Sequence, residues 1–231
     1  MRRVDLPSPN WDARPEGAAI DLLVLHYTGM PTAAAAIERL RDPAARVSAH
    51  YLIDEDGTVV AMVREEARAW HAGASAWQGR PTLNDVSIGI ELVNLGHEWG
   101  YRPFPAEQMA GLVILAGELC RRWRIPPDRV VGHSDIAPTR KDDPGELFDW
   151  PALAQAGLCH AVPAAGAASP DEAAAKAAMK RFGYPDAPIT ALLRAFQRRW
   201  RPARCDGVLD PETMGLALAV GALRGGGAAT T

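Results

Sequence analysis

Apolar residues in the first half of the chain are spaced as they are in the strands of an α/β protein. Ile20–Leu25 is mostly apolar and is followed by His26, which predicts a strand buried on both faces with His26 at its carboxyl end. In Val86–Val93 the apolar residues at positions 86, 88, 90 and 92 share one face, so Glu91 lies on the opposite face. Gly89, on the same face as Glu91, should leave open space beside it.

Hairpin and helix signals occupy the rest of this region. Val47–Asp54 and Thr58–Val63 flank an Asp-Gly turn and predict a β-hairpin. The stretch from Thr32 to Arg41 favours a helix with Thr32 as its N-cap. Ala106–Arg124 has apolar residues every three or four positions, which predicts a long helix packed on the core. A short strand over Arg129–Val131 follows. This order of strands and helices is typical of an α/β domain, which we assign to residues 1–160.

The last third of the chain has a different composition. Ala161–Pro170 consists of small residues and proline and predicts a linker. Ser169 is the predicted N-cap of a first helix, and two more helices are predicted over Ile189–Trp200 and after Asp210. Residues 171–223 therefore predict a small all-α domain of three helices, and residues 224–231 predict a disordered tail.

Charge and cysteine content exclude several classes of protein. The formal net charge is −3 and no dense basic face is present, which argues against nucleic acid as a partner. The three cysteines are scattered, which argues against a disulfide framework. We find no apolar segment of the length that a membrane span or a signal peptide needs. If Met1 is the native start we expect a cytoplasmic protein, and a periplasmic or envelope protein if the N-terminus has been trimmed.

Chemistry-bearing residues concentrate in Val130–Trp150, which shows neither helical nor strand periodicity. His133 and Asp143 in this loop, together with His26, could form the three-ligand set of a catalytic zinc ion. Glu91 could then transfer protons, and Lys141 could stabilise an oxyanion. The spacing of the two loop ligands is a weak pattern, however, and a histidine at the end of a buried strand is more often a core residue. The residues alone therefore leave a zinc hydrolase and a metal-free binding domain open.

Five ordered motifs resemble a known family. They are the segments LVLHYT around His26, SAHYLID around His50, WHAG at Trp70, SIGIELVN around Glu91 and VGHSDIAPTRKDDPG around His133. Together they resemble the zinc-dependent N-acetylmuramoyl-L-alanine amidases of the AmpD/AmiD type, which share a fold with peptidoglycan recognition proteins. The resemblance covers residues 20–150 and is much more specific than any single motif.

The resemblance implies a fold, a reaction and a set of roles. The fold is a mixed β-sheet flanked by helices. The reaction is hydrolysis of the amide between N-acetylmuramic acid, or its 1,6-anhydro form, and L-alanine of the stem peptide, in cell-wall recycling. The implied zinc ligands are His26, His133 and Asp143, and the implied catalytic residues are Glu91 and Lys141. Possible substrate contacts are Tyr27, His50, Tyr51, Trp70, His71 and Asn94.

The C-terminal helices resemble a second family. FQRRW followed by CDGVLDPETM is similar to the three-helix peptidoglycan-binding domain, although a structural cap on the catalytic domain is an equal interpretation. We expect a monomer that binds peptidoglycan fragments. The competing hypothesis is a muropeptide receptor without catalysis, which would have no reason to keep a metal-ligand trio together with Glu91 and Lys141.

Overall fold

The computed structural model describes residues 1–224, in which ten strands and eight α-helices form. The strands are β1 Arg3–Asp5, β2 Trp11–Ala13, β3 Leu22–Tyr27, β4 Tyr51–Ile53, β5 Val59–Ala61, β6 Ala67–Ala69, β7 Ala76–Trp77, β8 Arg80–Pro81, β9 Ser87–Leu92 and β10 Val130–Gly132. The helices are α1 Ala33–Arg41, α2 Gly96–Trp99, α3 Ala106–Trp123, α4 His133–Ile136, α5 Trp150–Gln155, α6 Glu172–Phe182, α7 Ile189–Trp200 and α8 Pro211–Ala222. The predicted disordered tail lies outside the described residues, apart from Arg224.

A mixed six-stranded sheet with the order β1-β5-β4-β9-β3-β10 forms the centre of the molecule. Strands β4, β9, β3 and β10 run parallel to one another, whereas β5 is antiparallel to β4. Two further pairs, β2 with β6 and β7 with β8, form small antiparallel sheets. The predicted mixed sheet flanked by helices is confirmed.

Alternation along β3 and β9 separates the two faces of the sheet. Leu23, Leu25, Ile88 and Ile90 belong to the same buried cluster as the apolar residues of α3. The intervening side chains, His26 and Glu91 among them, point to the opposite face. The long helix α3 therefore covers one face of the sheet, and His26 and Glu91 lie on the other face.

Two local predictions need revision. The hairpin is present, but its strands β4 and β5 are only three residues long each. The loop after β10 is not wholly irregular, because His133–Ile136 forms one helical turn. The side chain of Asp135 stabilises this turn by accepting a hydrogen bond from the backbone N–H of Gly132 at 2.9 Å. Thr32 caps α1 as predicted, accepting from the N–H of Ala35.

The predicted N-cap of the first C-terminal helix is also wrong. Asp171, not Ser169, accepts a hydrogen bond from Ala174 N–H at 3.0 Å, so α6 begins at Glu172. The backbone N–H of Ala168 is already bonded to the carbonyl of Pro211, which holds the preceding segment against α8. A Cβ at Gly215 would lie 1.8 Å from the carbonyl oxygen of Gly166, so the segment and α8 approach too closely for any side chain there.

The C-terminal helices share a buried cluster with the rest of the chain. Trp77 is fully buried and its ring contacts the rings of Phe182 and Tyr184 at centroid distances of 5.8 Å and 5.2 Å. The same cluster contains Leu22 and Val24 of β3. The helical module therefore packs on the face of the sheet opposite α3. Within residues 1–224 no helix has both the length and the apolar character that crossing a membrane requires.

Candidate active site

The parallel strands bring the polar residues to one edge of the sheet. His26 on β3 is the direct register partner of Glu91 on β9. His133 follows the last residue of β10, whose partner in β3 is Leu25. Because the carboxyl ends of parallel strands share an edge, three residues that are far apart in the sequence meet there.

Three ligand atoms converge at this edge. His26 Nδ1 lies 2.9 Å from His133 Nδ1, and each of these nitrogens lies 3.0 Å from Asp143 Oδ2. His26, His133 and Asp143 are all nearly completely buried. Zinc ligands about 2.0–2.2 Å from a tetrahedral ion are separated by roughly 3.3 Å, so this triangle is close to the size that zinc requires.

The hydrogen bond of His133 Nε2 determines whether Nδ1 of the same ring carries a proton or a lone pair. Nε2 lies 3.1 Å from the carbonyl oxygen of Ala72. Because a carbonyl oxygen can only accept a hydrogen bond, Nε2 must be protonated and acts as the donor. In the neutral ring, which is the form that binds metals, Nδ1 then directs a lone pair towards His26 and Asp143.

A chain of hydrogen bonds determines the tautomer of His26 in the same way. The hydroxyl of Ser87 donates to the carbonyl of Leu83 at 2.6 Å, so its oxygen accepts from His71 Nε2 at 3.1 Å. A neutral His71 then has an unprotonated Nδ1, which accepts from His26 Nε2 at 3.0 Å. His26 Nδ1 is left with a lone pair. Two lone pairs and a carboxylate oxygen therefore face one another with no proton between them, which is the environment of a cation site.

Burial and charge keep these groups in the states that metal binding needs. Burial, followed by the charge of His133, lowers the pKa of His26 to about 4. Burial also lowers the pKa of His71 well below its usual value, so both rings are neutral at pH 7. Burial alone would raise the pKa of Asp143, but His133 and His26 outweigh it and hold that pKa far below its ordinary value.

Gly89 makes room for this chain. A Cβ on Gly89 would lie 2.5 Å from Cγ of His71, so the imidazole lies directly on the strand backbone. The prediction of open space beside Glu91 is therefore wrong, because His71 fills it. Any side chain at position 89 would displace the ring that orients His26.

Glu91 is a half-buried residue whose carboxyl group has one buried oxygen without a partner. Its Oε2 has no hydrogen-bond partner among the described residues. Burial, reinforced by the charge of Asp143, raises its pKa well above the usual value, and Lys141 opposes this shift. A buried carboxyl group with a raised pKa and a free oxygen is suited to proton transfer.

Most of the predicted site residues line one cavity of about 360 Å³. The catalytic and metal-binding candidates that line it are Glu91, Lys141, His26, His133 and Asp143. The predicted substrate contacts that line it are Tyr27, Trp70 and His71. The structure thus brings together predicted site residues from four of the five motifs.

Three predicted substrate contacts do not line the cavity. The ring nitrogens of His50 are engaged by Gly89 N–H on one side and by Ala67 O and Arg14 on the other. The hydroxyl of Tyr51 donates to Glu65 at 2.6 Å. The amide of Asn94 bridges Arg102 O and Gly96 N–H. The polar groups of His50, Tyr51 and Asn94 bond within the protein, and their role as substrate contacts stays a prediction.

The sequence interpretation missed the partners that hold the loop Val130–Trp150, called the metal loop below because it carries two of the predicted metal ligands. Asp135 accepts from Arg199 Nη1 at 2.9 Å and from the hydroxyl of Tyr184 at 2.8 Å, and all three side chains are buried. The sequence interpretation also missed Ser87 as the hydrogen-bond partner of His71, although the strand pattern places Ser87 on the same face as Glu91. No local pattern could have indicated the contacts of Arg199 and Tyr184, since they lie on the C-terminal module.

Comparison with known proteins agrees with this geometry. Residues 16–146 match the N-acetylmuramoyl-L-alanine amidase family Amidase_2. The chain belongs to this family. It is 36% identical to the N-acetylmuramoyl-L-alanine amidase AmiD of Escherichia coli, over 87% of this chain and 82% of AmiD. The amidase fold and the hydrolysis of the bond between N-acetylmuramic acid and L-alanine, both expected from the motifs, are thereby confirmed.

Solved structures extend the similarity beyond the catalytic region of the amidase. The complex of E. coli AmiD with anhydro-N-acetylmuramic acid-L-Ala-D-γ-Glu-L-Lys superposes with a TM-score of 0.80, at 36% identity, covering 90% of this chain and 91% of that chain. AmpDh3 of Pseudomonas aeruginosa gives a TM-score of 0.78 at 32% identity, covering 94% of this chain and 97% of that chain. The 1,6-anhydro-N-acetylmuramyl-L-alanine amidase AmpD of Haemophilus influenzae is 38% identical over 63% of this chain and 86% of AmpD.

Proposed function

We propose that the amidase is zinc-dependent and that His26, His133 and Asp143 hold the ion. The observation that carries this proposal is the triangle of three ligand atoms, each about 3.0 Å from the others, with no proton available between them. A zinc ion bound there supplies a Lewis acid that polarises the scissile carbonyl and lowers the pKa of water. The geometry and chemistry of the residues fit this ion.

The remaining residues of the cavity have roles in the same reaction. Glu91 lines the cavity, where its carboxyl group accepts the proton of the attacking water and passes it to the nitrogen of the departing L-alanine. Lys141 lines the same cavity and places a positive charge where the carbonyl oxygen becomes negative. His71 holds His26 in the tautomer that binds the ion and is therefore a positioning residue.

The substrate we propose is a 1,6-anhydro-muropeptide released during cell-wall recycling. The AmiD complex contains such a compound, and AmpDh3 has been solved with an anhydromuramic pentapeptide. The similarity to AmpD, named for the anhydro sugar, supports the same class. A receptor that only binds muropeptides is less favoured, since binding alone requires neither the ligand triangle nor a buried, unpartnered carboxyl group.

Metal analysis combined with muropeptide digestion tests this function. We expect about one zinc per chain, release of free stem peptide, loss of release with a chelator and recovery with zinc. Asp143→Ala should lose both zinc and activity, whereas Asp186→Ala, an exposed aspartate on the helical module, should keep both. Binding of the muropeptide without cleavage by the zinc-loaded protein would refute the proposal.

We further propose that the predicted division into a catalytic domain (1–160), a linker (161–170) and a helical domain (171–223) describes two parts with a shared core. The buried ion pair of Arg199 with Asp135 supports this proposal, because it joins α7 to the turn that begins with His133. The helical module then acts first as a support for the metal loop. The alternative is that the helical module binds peptidoglycan. It would be favoured if a substitution on the module's surface abolished binding to isolated cell wall and left the active site intact.

We also propose a cellular compartment and an oligomeric state for the protein. Cys120, Cys159 and Cys205 are all free thiols, which supports a reducing compartment such as the cytoplasm. Cell fractionation with antibodies against the native protein tests this assignment. We propose a monomer, which light scattering of the purified chain would check.

A further inference from the structure

A second cleft of about 520 Å³ lies next to the catalytic cavity and is bounded by the helical module. One wall is the loop segment of Arg140, Lys141 and Asp142, which also lines the catalytic cavity. The other wall is α7, through Arg194 and Arg198. The part of a substrate that reacts beside Lys141 is therefore close to this cleft.

The side chains of the cleft give it a positive charge. Four cationic residues line it against one anionic residue, Asp142. Arg198 is already paired with Asp142 at 2.6 Å, and Glu146 Oε2 lies 3.8 Å from its Nε, so most of the excess charge belongs to the other cations. Arg140 donates only to the neutral carbonyls of Ala72 and Ala74, so its charge is not compensated by those bonds.

Arg194 is the cation best placed to receive a ligand. It is exposed and forms no ion pair with any other part of residues 1–224. Its stem is held against the turn before α8, since a Cβ on Gly207 would lie 3.0 Å from Cγ of Arg194. The guanidinium at the end of this stem offers a planar fork of donors that suits a carboxylate.

We propose that Arg194, together with Arg140 and Arg198, forms a subsite for the free carboxylates of the stem peptide. This proposal rests on the proposed muropeptide amidase function. A peptide of the type in the AmiD complex contains a γ-linked glutamate, which leaves the α-carboxylate free, and a C-terminal carboxylate. The helical module thereby contributes a residue to substrate recognition, which a domain that only supports the loop would not do.

The chemistry favours the peptide over the sugar as the occupant. The lactyl carboxyl of N-acetylmuramic acid is consumed in the amide bond to L-alanine, so the sugar side of an intact substrate has no anion. The peptide side has two. A cleft with an excess of arginines therefore matches the peptide, with its specificity set by ion pairs that salt weakens.

Steady-state kinetics of the full, zinc-loaded chain test the subsite. The two substrates are anhydro-N-acetylmuramoyl-L-Ala-D-γ-Glu-L-Lys with free carboxylates and the same compound with both carboxylates converted to carboxamides. Arg194→Glu should raise KM for the carboxylate substrate about 5-fold with kcat retained, and Arg194→Gln about 2-fold. KM for the carboxamide should change less than about 2-fold. The matched control is Arg181→Glu, an exposed arginine of α6 outside the cleft, which should change neither substrate.

Each outcome has a defined meaning. A rise in KM confined to the carboxylate substrate, and reduced by added salt, supports the subsite. Equal effects on both substrates, no effect on either, or a stronger effect on the carboxamide would overturn it, the first of these pointing to the glycan as occupant. These outcomes are read against turnover by the wild type, which tests the amidase function separately. Failure of the wild type to cleave either substrate would overturn both proposals.

Discussion

Replacing Arg199 with methionine removes a buried cation and keeps a side chain of similar length. Arg199 Nη1 lies 2.9 Å from Asp135 Oδ2, and the two side chains are 3% and 1% exposed. The guanidinium also lies over the rings of Trp150 and Trp200, at 4.2 Å and 4.8 Å from their centroids. The variant therefore leaves the charge of Asp135 buried with only the hydroxyl of Tyr184 and the backbone of Gly132 as partners.

The size of the effect follows from this burial. Removing one partner of a buried ion pair costs about 3–5 kcal/mol, because the remaining charge stays desolvated. In a chain of this size that loss lowers Tm by roughly 10 °C. Asp135 also holds the turn that begins with His133, so we expect zinc affinity to fall by about 10-fold, as for other groups that orient metal ligands.

Urea unfolding and chelator competition measure the two effects in the same protein. Arg181→Met, on an exposed part of α6, is the matched control and should change the free energy of unfolding by less than about 0.5 kcal/mol. Adding Asp135→Asn to Arg199→Met should recover part of the loss, since both charges are then gone. A loss below about 1 kcal/mol with unchanged zinc affinity would refute the idea that the helical module supports the metal loop.

Three other substitutions test separate parts of the structure. Glu91→Gln should keep zinc and lose activity by about 100-fold or more, so full activity would show that Glu91 is not the proton-transfer group. His71→Phe removes the acceptor of His26 Nε2–H, and zinc affinity measured by chelator competition should fall about 10-fold; an unchanged affinity would contradict the tautomer assignment. Burial raises the pKa of Glu65, but hydrogen bonds from Tyr51 and Trp123 outweigh it and the net pKa is lowered. Its carboxylate therefore stabilises the fold above the unfolded-state pKa of about 4.3, and this stabilisation disappears as pH falls through the lower folded-state pKa. Glu65→Gln should accordingly unfold at lower urea than the wild type at pH 7 and approach it once the pH is below the folded-state pKa of Glu65, and equal midpoints at pH 7 would contradict this reasoning.

Several elements could be predicted because their information is local. The alternation in β9 was sufficient to place Glu91 on the face opposite Ile88 and Ile90, since neighbouring side chains of a strand point in opposite directions. The apolar period of α3 was sufficient to predict its packing against the sheet. The ordered motifs identified the reaction, because each candidate ligand lies in a short segment whose neighbouring residues also match the family.

Contacts between distant segments required the folded chain. His50, Tyr51 and Asn94 lie in motifs of the family, yet their polar atoms bond inside the protein and do not line the cavity. His71 was expected to touch substrate, and the structure shows in addition that it connects His26 to Ser87. A motif defines which residue is present, but the direction of its side chain depends on the segments packed around it.

What the sequence determined by itself is the main strands and helices, the candidate ligand types and the reaction class. What only the tertiary structure decided is which of these groups meet. The pairing of β3 with β9 and β10 brings His26, Glu91 and His133 to one edge of the sheet. The packing of α7 beside the metal loop brings Arg199 to Asp135 and Arg194 to the second cleft. Secondary structure depends on periodicities within a few residues, whereas these contacts depend on the shared burial of segments far apart in the chain.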